Sequence, residues 1–66
     1  MCLSNVYKKD GDEDVFMLKN IAQVKTDGDR LVFTDLMGVR TEFDGTIVNI
    51  DLLENIILVK CREETL

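Results

Sequence analysis

The strongest constraint on the fold is the alternation of short apolar segments with polar turns. The apolar segments predict strands over residues 2–7, 15–26, 31–34, 39–43, 47–52 and 56–62. Asp-Gly pairs at 27–28 and 44–45 are typical of tight hairpin turns, and we expect all four glycines to lie in turns. Segment 15–26 is longer than an ordinary strand, so we expect it to bend near Asn20.

Segment 47–60 would also tolerate a helix, because it contains leucine, isoleucine and glutamate. β-branched residues dominate the segment, however, and such residues lose side-chain freedom in a helix. Short strands at spacings near ten residues therefore indicate an all-β fold, a small antiparallel SH3-like barrel of about six or seven short strands. We expect residues 1–66 to form this single small β-barrel domain, with helix confined to a turn or so.

Size and composition favour one compact core. A chain of 66 residues has no room for a second core, and its apolar content of 45% is enough to build the first. Strand alternation predicts which residues face inward, and an error of one residue would reverse the two faces of a strand. The predicted core comprises Val6, Phe16, Leu18, Val24, Leu31, Phe33, Ile47, Ile50, Ile57 and Val59.

Charge argues against a nucleic-acid partner. Thirteen acidic residues face eight basic ones, for a formal net charge of −5. Binding to a phosphate backbone depends on clustered lysine and arginine, which are scattered here apart from the pair Lys8-Lys9. The four aromatic residues alternate with aliphatic residues, as in a core, and do not resemble a base-stacking platform.

The sequence contains few patterns typical of catalysis, and we predict that it is not an enzyme. Histidine is absent, which removes the commonest general base and the commonest metal ligand. The isolated glycines do not form a phosphate-binding loop. The acidic stretch that begins at Asp10 fails as a calcium loop, because Val15 replaces the required glycine and Ile21 replaces the bidentate glutamate.

The apolar runs are too short for a signal peptide or a membrane span. The longest purely aliphatic run covers only residues 56–59. We therefore expect a cytoplasmic protein with no membrane partner, in which both cysteines are reduced. Two cysteines are also too few for a disulfide scaffold.

The two cysteines are the remaining candidates for chemistry. Alternation groups Cys61 with Ile57 and Val59, which predicts a buried strand thiol. Cys2 has two interpretations. It is either a small apolar residue at the start of the first strand or, after removal of Met1, a chelating terminus that offers a thiolate and an amine. Two such termini would supply two nitrogens and two sulfurs, a set that suits square-planar Ni(II).

Four stretches of the chain resemble one known family: the opening MCLSNVY, the hairpin VKTDGDRLVFTDLMG, the segment FDGTIVNIDL and the aliphatic final strand. They are similar to the CooT family of small nickel-binding proteins, which is associated with maturation of carbon monoxide dehydrogenase. The resemblance implies an SH3-like fold, a homodimer and one nickel ion held between two copies of Cys2. It also implies carbon monoxide dehydrogenase or its maturation proteins as partners.

The main functional prediction is therefore a metal-handling accessory protein, with Ni(II) bound through Cys2 at a homodimer interface to which Leu3 and Tyr7 contribute. A retained Met1 would replace the Cys2 amine with an amide and change the ligand set. Cys61 would offer a rival site within one chain if the first and last strands are neighbours. The alternative function is a small-barrel interaction module that binds a protein or nucleic acid and uses Cys2 only structurally.

Overall fold

Five strands form a closed barrel in the computed structural model, which describes residues 2–62. The strands are β1 (Ser4–Asp10), β2 (Glu13–Asp27), β3 (Arg30–Asp35), β4 (Arg40–Asp51) and β5 (Ile56–Cys61). Consecutive strands pair antiparallel, and β1 pairs with β5 in parallel to close the barrel. The predicted all-β barrel is confirmed, with five strands instead of six or seven. The described residues include no helix long and apolar enough to span a membrane.

Strand β4 accounts for the lower strand count. Segments 39–43 and 47–52, which the sequence predicts as two strands, belong to one continuous strand that passes through Gly45. The predicted turn at 44–45 is therefore wrong. Gly45 is buried against β5, where an added Cβ would lie 2.7 Å from the carbonyl oxygen of Lys60. Glycine is needed here for the close approach of two strands and not for a turn.

Strand β2 bends at Asn20, as predicted. Asn20 has a φ of +57°, in the left-handed region that asparagine tolerates better than most residues. Before the bend β2 pairs with β1, and from Ile21 onward it pairs with β3. The long strand therefore contributes to two parts of the barrel wall. The predicted turn that follows β2 is also confirmed, with Gly28 at a φ of +63°.

The core fills the inside of the barrel and agrees with most of the predicted positions. Of these, Val6, Leu31, Phe33, Ile57 and Val59 are buried, and Leu18, Val24 and Ile47 pack partly buried against them. Phe33 also stacks on Phe43, with ring centroids 5.4 Å apart. Ile21 is 4% exposed and was not predicted, because the bend at Asn20 interrupts the alternation just before it.

Two predicted core positions, Phe16 and Ile50, are wrong. A register shift at Val6–Tyr7 interrupts the alternation between β1 and β2, so Phe16 is 51% exposed and packs on Tyr7 outside the barrel. Ile50 lies opposite Ile57 but remains 49% exposed, because it is next to the end of β4. The first error comes from a register shift that only strand pairing defines, and the second comes from the position of Ile50 next to the end of β4.

Candidate metal site

Cys2 is exposed at one end of the barrel, two residues before β1 begins. A backbone hydrogen bond joins this end to a distant part of the chain. The N–H of Asn5 donates to the carbonyl of Asn55 at 2.9 Å. We call this end the Cys2 rim, and it consists of residues 2–4 and the turn 52–55. The turn 36–39 lies at the other end of β4, where the N–H of Leu36 donates to the carbonyl of Asn20 at 2.9 Å.

The large side chains that the Cys2 rim exposes are mostly apolar. They are Leu52 (80% exposed) and Leu53 (88%). Leu36 (56%), Met37 (81%) and Val39 (59%) form a second exposed apolar turn at the other end of β4. Glu54 is the only acidic or basic residue in the turn 52–55. Because monomeric proteins rarely expose large contiguous apolar patches, the rim has the composition of an interaction surface.

Two aspartates fix the conformation of the two apolar turns at the ends of β4. Oδ1 of Asp35 accepts hydrogen bonds from the N–H groups of Met37 at 2.8 Å and Val39 at 2.9 Å. Oδ1 of Asp51 accepts two similar bonds from turn 52–55, at 3.0 and 2.9 Å. These bonds satisfy backbone donors within each turn, so the turns expose apolar side chains without leaving those donors unpaired.

Cys61 lies at the opposite end of the barrel, half-buried in β5. The first and last strands are neighbours, but they run parallel, and their register places Cys61 level with Asp10. Up to about 25 Å of strand length therefore separates Cys61 from Cys2. A metal site made by both cysteines of one chain, which the sequence left open, is excluded by this geometry.

The surroundings of Cys61 are ionic. A pocket of about 330 Å³ is lined by Asp29, Gly45, Thr46, Lys60, Cys61 and Arg62. Nη1 of Arg62 lies 3.7 Å from Oδ2 of Asp29, and Nη1 of Arg30 lies 3.1 Å from Oδ1 of Asp44. The two ends of the barrel thus differ, with an apolar surface at Cys2 and ion pairs near Cys61.

One chain supplies too few donors for a complete metal site. Among residues 2–62, no three side chains of histidine, cysteine, aspartate or glutamate are grouped so that they could hold a metal ion. Transition metals in proteins usually take about four ligands, so the Cys2 thiol of a single copy would need others. The interpretation of Cys2 as a packed apolar residue does not fit, because the side chain is exposed and precedes β1.

Comparisons with known proteins identify the family and the fold of the chain. The family model described as CO dehydrogenase accessory protein CooT matches residues 1–60. The chain is also similar to the crystal structure of a protein from Carboxydothermus hydrogenoformans that is described as a candidate CooT. That match has a TM-score of 0.84 and 18% sequence identity, and it covers 94% of this chain and 100% of the other. At this identity the match supports the fold alone. No curated protein matches the chain significantly.

The closed five-stranded barrel and its rim define a class of small β-barrel proteins with an exposed thiol on an apolar end. The family match covers most of the chain, and it identifies one family within this class. The chain belongs to the CooT family of CO dehydrogenase accessory proteins. The resemblance read from the sequence is therefore confirmed.

Sequence reasoning singled out Cys2, which stays a prediction, but missed the two apolar turns. The stretches DLMGV and LLEN contain leucine, methionine and valine at positions where turns usually carry polar residues. These residues could have been noticed, because a turn runs over the protein surface and leaves its side chains exposed. What the sequence could not show is that the turn 52–55 lies beside Cys2, whereas the turn 36–39 lies at the other end of β4.

Proposed function

We propose that this chain is a nickel-binding accessory protein, and not an enzyme, which holds Ni(II) through Cys2 at a homodimer interface. The observation that carries the proposal is the position of Cys2, whose thiol is exposed on a rim of apolar side chains. An apolar rim favours contact with another protein surface, and a lone thiol needs further ligands. A second copy of the same rim would meet both requirements.

A two-fold axis at the Cys2 rim would place two Cys2 residues face to face. With Met1 removed, each copy would supply a thiolate and an amine from the same residue, which together close a five-membered chelate ring. Two nitrogens and two sulfurs can lie in one plane and so suit square-planar Ni(II), whereas zinc prefers a tetrahedral set. Removal of Met1 is therefore part of the proposal.

Charge also favours association through the Cys2 rim. With a net charge of −5, two copies of the chain repel each other in most orientations. The acidic hairpin between β1 and β2 and the ion pairs near Cys61 lie outside the rim, so contact through the rim keeps those charges apart. Leu3, next to Cys2, would join the contact. Tyr7 packs on Phe16 on the outer wall, which makes Leu3 the better candidate.

Family membership links the proposed site to CO dehydrogenase. We propose that Ni(II) is the cargo and that the partner is CO dehydrogenase or one of its maturation proteins, in the cytoplasm. The contribution of this chain is to hold the metal ion through its thiolates. The apolar side chains around the site would limit the access of water to it.

The alternative function is a small-barrel interaction module in which Cys2 is only structural, and it requires Cys2 to pack within the fold. The exposed position of Cys2 favours the metal-binding proposal instead. Charge gives no support for a nucleic-acid partner. Arg30, Arg40 and Arg62 each lie within 4.0 Å of a carboxylate oxygen, which lowers their availability for phosphate.

Titration with Ni(II) under reducing conditions tests the proposal, with Cys2→Ser and Cys61→Ser as matched variants on opposite ends of the barrel. Wild type and Cys61→Ser should show thiolate-to-nickel charge-transfer absorption that saturates at one Ni(II) per two chains. Cys2→Ser should lose this absorption and tight binding. If only Cys61→Ser loses binding, the wrong thiol has been assigned. If both variants keep it, the thiolate-nickel proposal is excluded.

Native mass spectrometry of the same proteins reports Met1 removal, stoichiometry and oligomeric state together. We expect a dimer of chains without Met1 that carries one nickel ion. A monomer that binds nickel tightly would contradict a shared site.

A further inference from the structure

The N-terminal half of β2 has an open edge. Residues Glu13–Ile21 pair with β1 on one side, and β3 covers the other side only from Ile21 to Asp27. In the part of the chain that the structure describes, no strand pairs with the second side of residues 13–19. Alternate backbone N–H and C=O groups of this segment face outward, which makes the edge a template for another strand.

The open edge, residues 13–19, exposes apolar side chains in its middle. Val15 is 39% exposed and Phe16 is 51% exposed. The Phe16 ring meets the Tyr7 ring edge-on, with centroids 5.6 Å apart and planes at 81°. This contact holds Phe16 on the outer wall of the barrel. Edge strands are usually blunted by proline, charged side chains, bulges or very short length. This edge has no proline, and its bulge lies at Met17, so residues 13–16 form its regular part. The charged residues of that part, Glu13 and Asp14, are both acidic.

Carboxylates are concentrated at the start of the open edge. The hairpin between β1 and β2 carries Asp10, Asp12, Glu13 and Asp14 beside Lys8 and Lys9. None of the ion pairs among residues 2–62 uses these four carboxylates. Their negative charge is therefore available to an incoming partner. It disfavours a second copy of this chain as the occupant, because that copy also carries a net charge of −5.

We propose that the open edge of β2 binds an extended segment of a partner protein in which apolar and basic residues alternate. The segment adds to the barrel as a further strand, so that main-chain hydrogen bonds supply affinity. Val15 contacts its apolar side chains on one face. Phe16 and Asp14 lie on the other face, where Phe16 contacts the aliphatic stems of its basic side chains and the carboxylate attracts their charges. The open edge lies outside the Cys2 rim, so this binding does not depend on nickel.

A peptide of eight alternating lysine and valine residues is the probe, with two matched control peptides. One control replaces each lysine with glutamate. The other carries methyl groups on alternate backbone nitrogens, which keeps the charge but removes strand hydrogen bonds. In nuclear magnetic resonance titrations of the full chain without nickel, the lysine peptide should shift the amide signals of residues 13–19. It should bind at least about tenfold more tightly than either control.

Two variants of the chain locate the contact. Phe16→Ser should weaken binding of the lysine peptide at least about tenfold, because it removes the aromatic contact. Val48→Ser, which alters a residue of β4 with a similar exposure of 46%, should leave binding unchanged. The double variant Asp12→Asn with Asp14→Asn tests the same edge without touching the apolar side chains, and it should weaken binding and reduce its dependence on salt.

Three results would overturn the proposal: equal binding of the methylated peptide, equal binding of the glutamate peptide, or signal shifts confined to the Cys2 rim. Cys2→Ser should bind the lysine peptide as wild type does. The two proposals can therefore fail independently: loss of nickel binding contradicts the proposed nickel site, and loss of peptide binding contradicts the proposed open edge.

Discussion

Gly45 shows how closely the barrel specifies a single residue. An added Cβ would lie 2.7 Å from the Lys60 carbonyl oxygen and 3.2 Å from the Cys61 Cα, and both are backbone atoms that cannot rotate away. We expect Gly45→Ala to lower the free energy of unfolding by about 1–3 kcal/mol, because β4 and β5 must move apart to accept the methyl group. Urea denaturation monitored by circular dichroism measures this loss.

Gly11→Asn is the control for that substitution. Gly11 lies in an exposed turn at a φ of +65°, with no atom within 4 Å of an added Cβ, and asparagine tolerates this conformation. We expect the free energy of unfolding to change by less than about 0.5 kcal/mol. Equal losses in the two variants would contradict a steric role for Gly45.

At the scale of residues, Cys2 as a metal ligand follows from a cysteine next to Met1 in a chain without histidine, and it stays a prediction. Some inward and outward faces could not be predicted. Phe16 looks equally suited to a core, and its exposure depends on a register shift between β1 and β2. Such a shift depends on the partner strand, so the local sequence does not contain it.

Among the elements, the same dipeptide has two structural roles. The Asp-Gly pair at 27–28 ends β2 in a tight turn, whereas the pair at 44–45 lies inside β4. What distinguishes them is the approach of the Lys60 carbonyl, 15 positions after Gly45 in the chain. The bend at Asn20 and the turn at Gly28 could be predicted because their causes are local. The continuity of β4 could not, because its cause is a tertiary contact.

The turn between β3 and β4 depends on one carboxylate. Oδ1 of Asp35 accepts hydrogen bonds from the N–H groups of Met37 and Val39. We expect Asp35→Ala to lower the free energy of unfolding by about 1 kcal/mol, because both donors lose a protein partner. Asp35→Asn keeps an acceptor oxygen and should retain most of the stability. Thermal unfolding of the two variants measures the difference, and equal losses would indicate that charge matters more than hydrogen bonding.

At the scale of the whole molecule, the Cys2 rim is apolar and the surroundings of Cys61 are ionic, and we expect the rim to control association. Changing both Leu52 and Leu53 to serine should shift the proposed dimer toward monomer and weaken Ni(II) binding in parallel. Their exposures of 80% and 88% mean that the fold itself should lose less than about 0.5 kcal/mol. Sedimentation equilibrium measures the dimer, and a titration measures the metal.

Phe16→Ser is the matched control for this double variant, because it removes an exposed apolar side chain outside the Cys2 rim. It should leave the dimer intact, and Cys2→Ser should also remain a dimer while losing the metal. A double leucine variant that still dimerises like wild type would exclude the turn 52–55 as the interface. A wild-type protein that stays monomeric with and without nickel would exclude the dimer itself.

The parallel pairing of β1 with β5 also sets an order of events during synthesis. Val6 pairs with Ile57, about 50 positions later, so β1 leaves the ribosome long before its partner strand exists. The barrel cannot close until β5 has been translated. Throughout that interval the start of the chain is open to the aminopeptidase that removes initiator methionines. We therefore expect the proposed amine ligand to be uncovered on the nascent chain, before there is a folded rim to receive a metal ion.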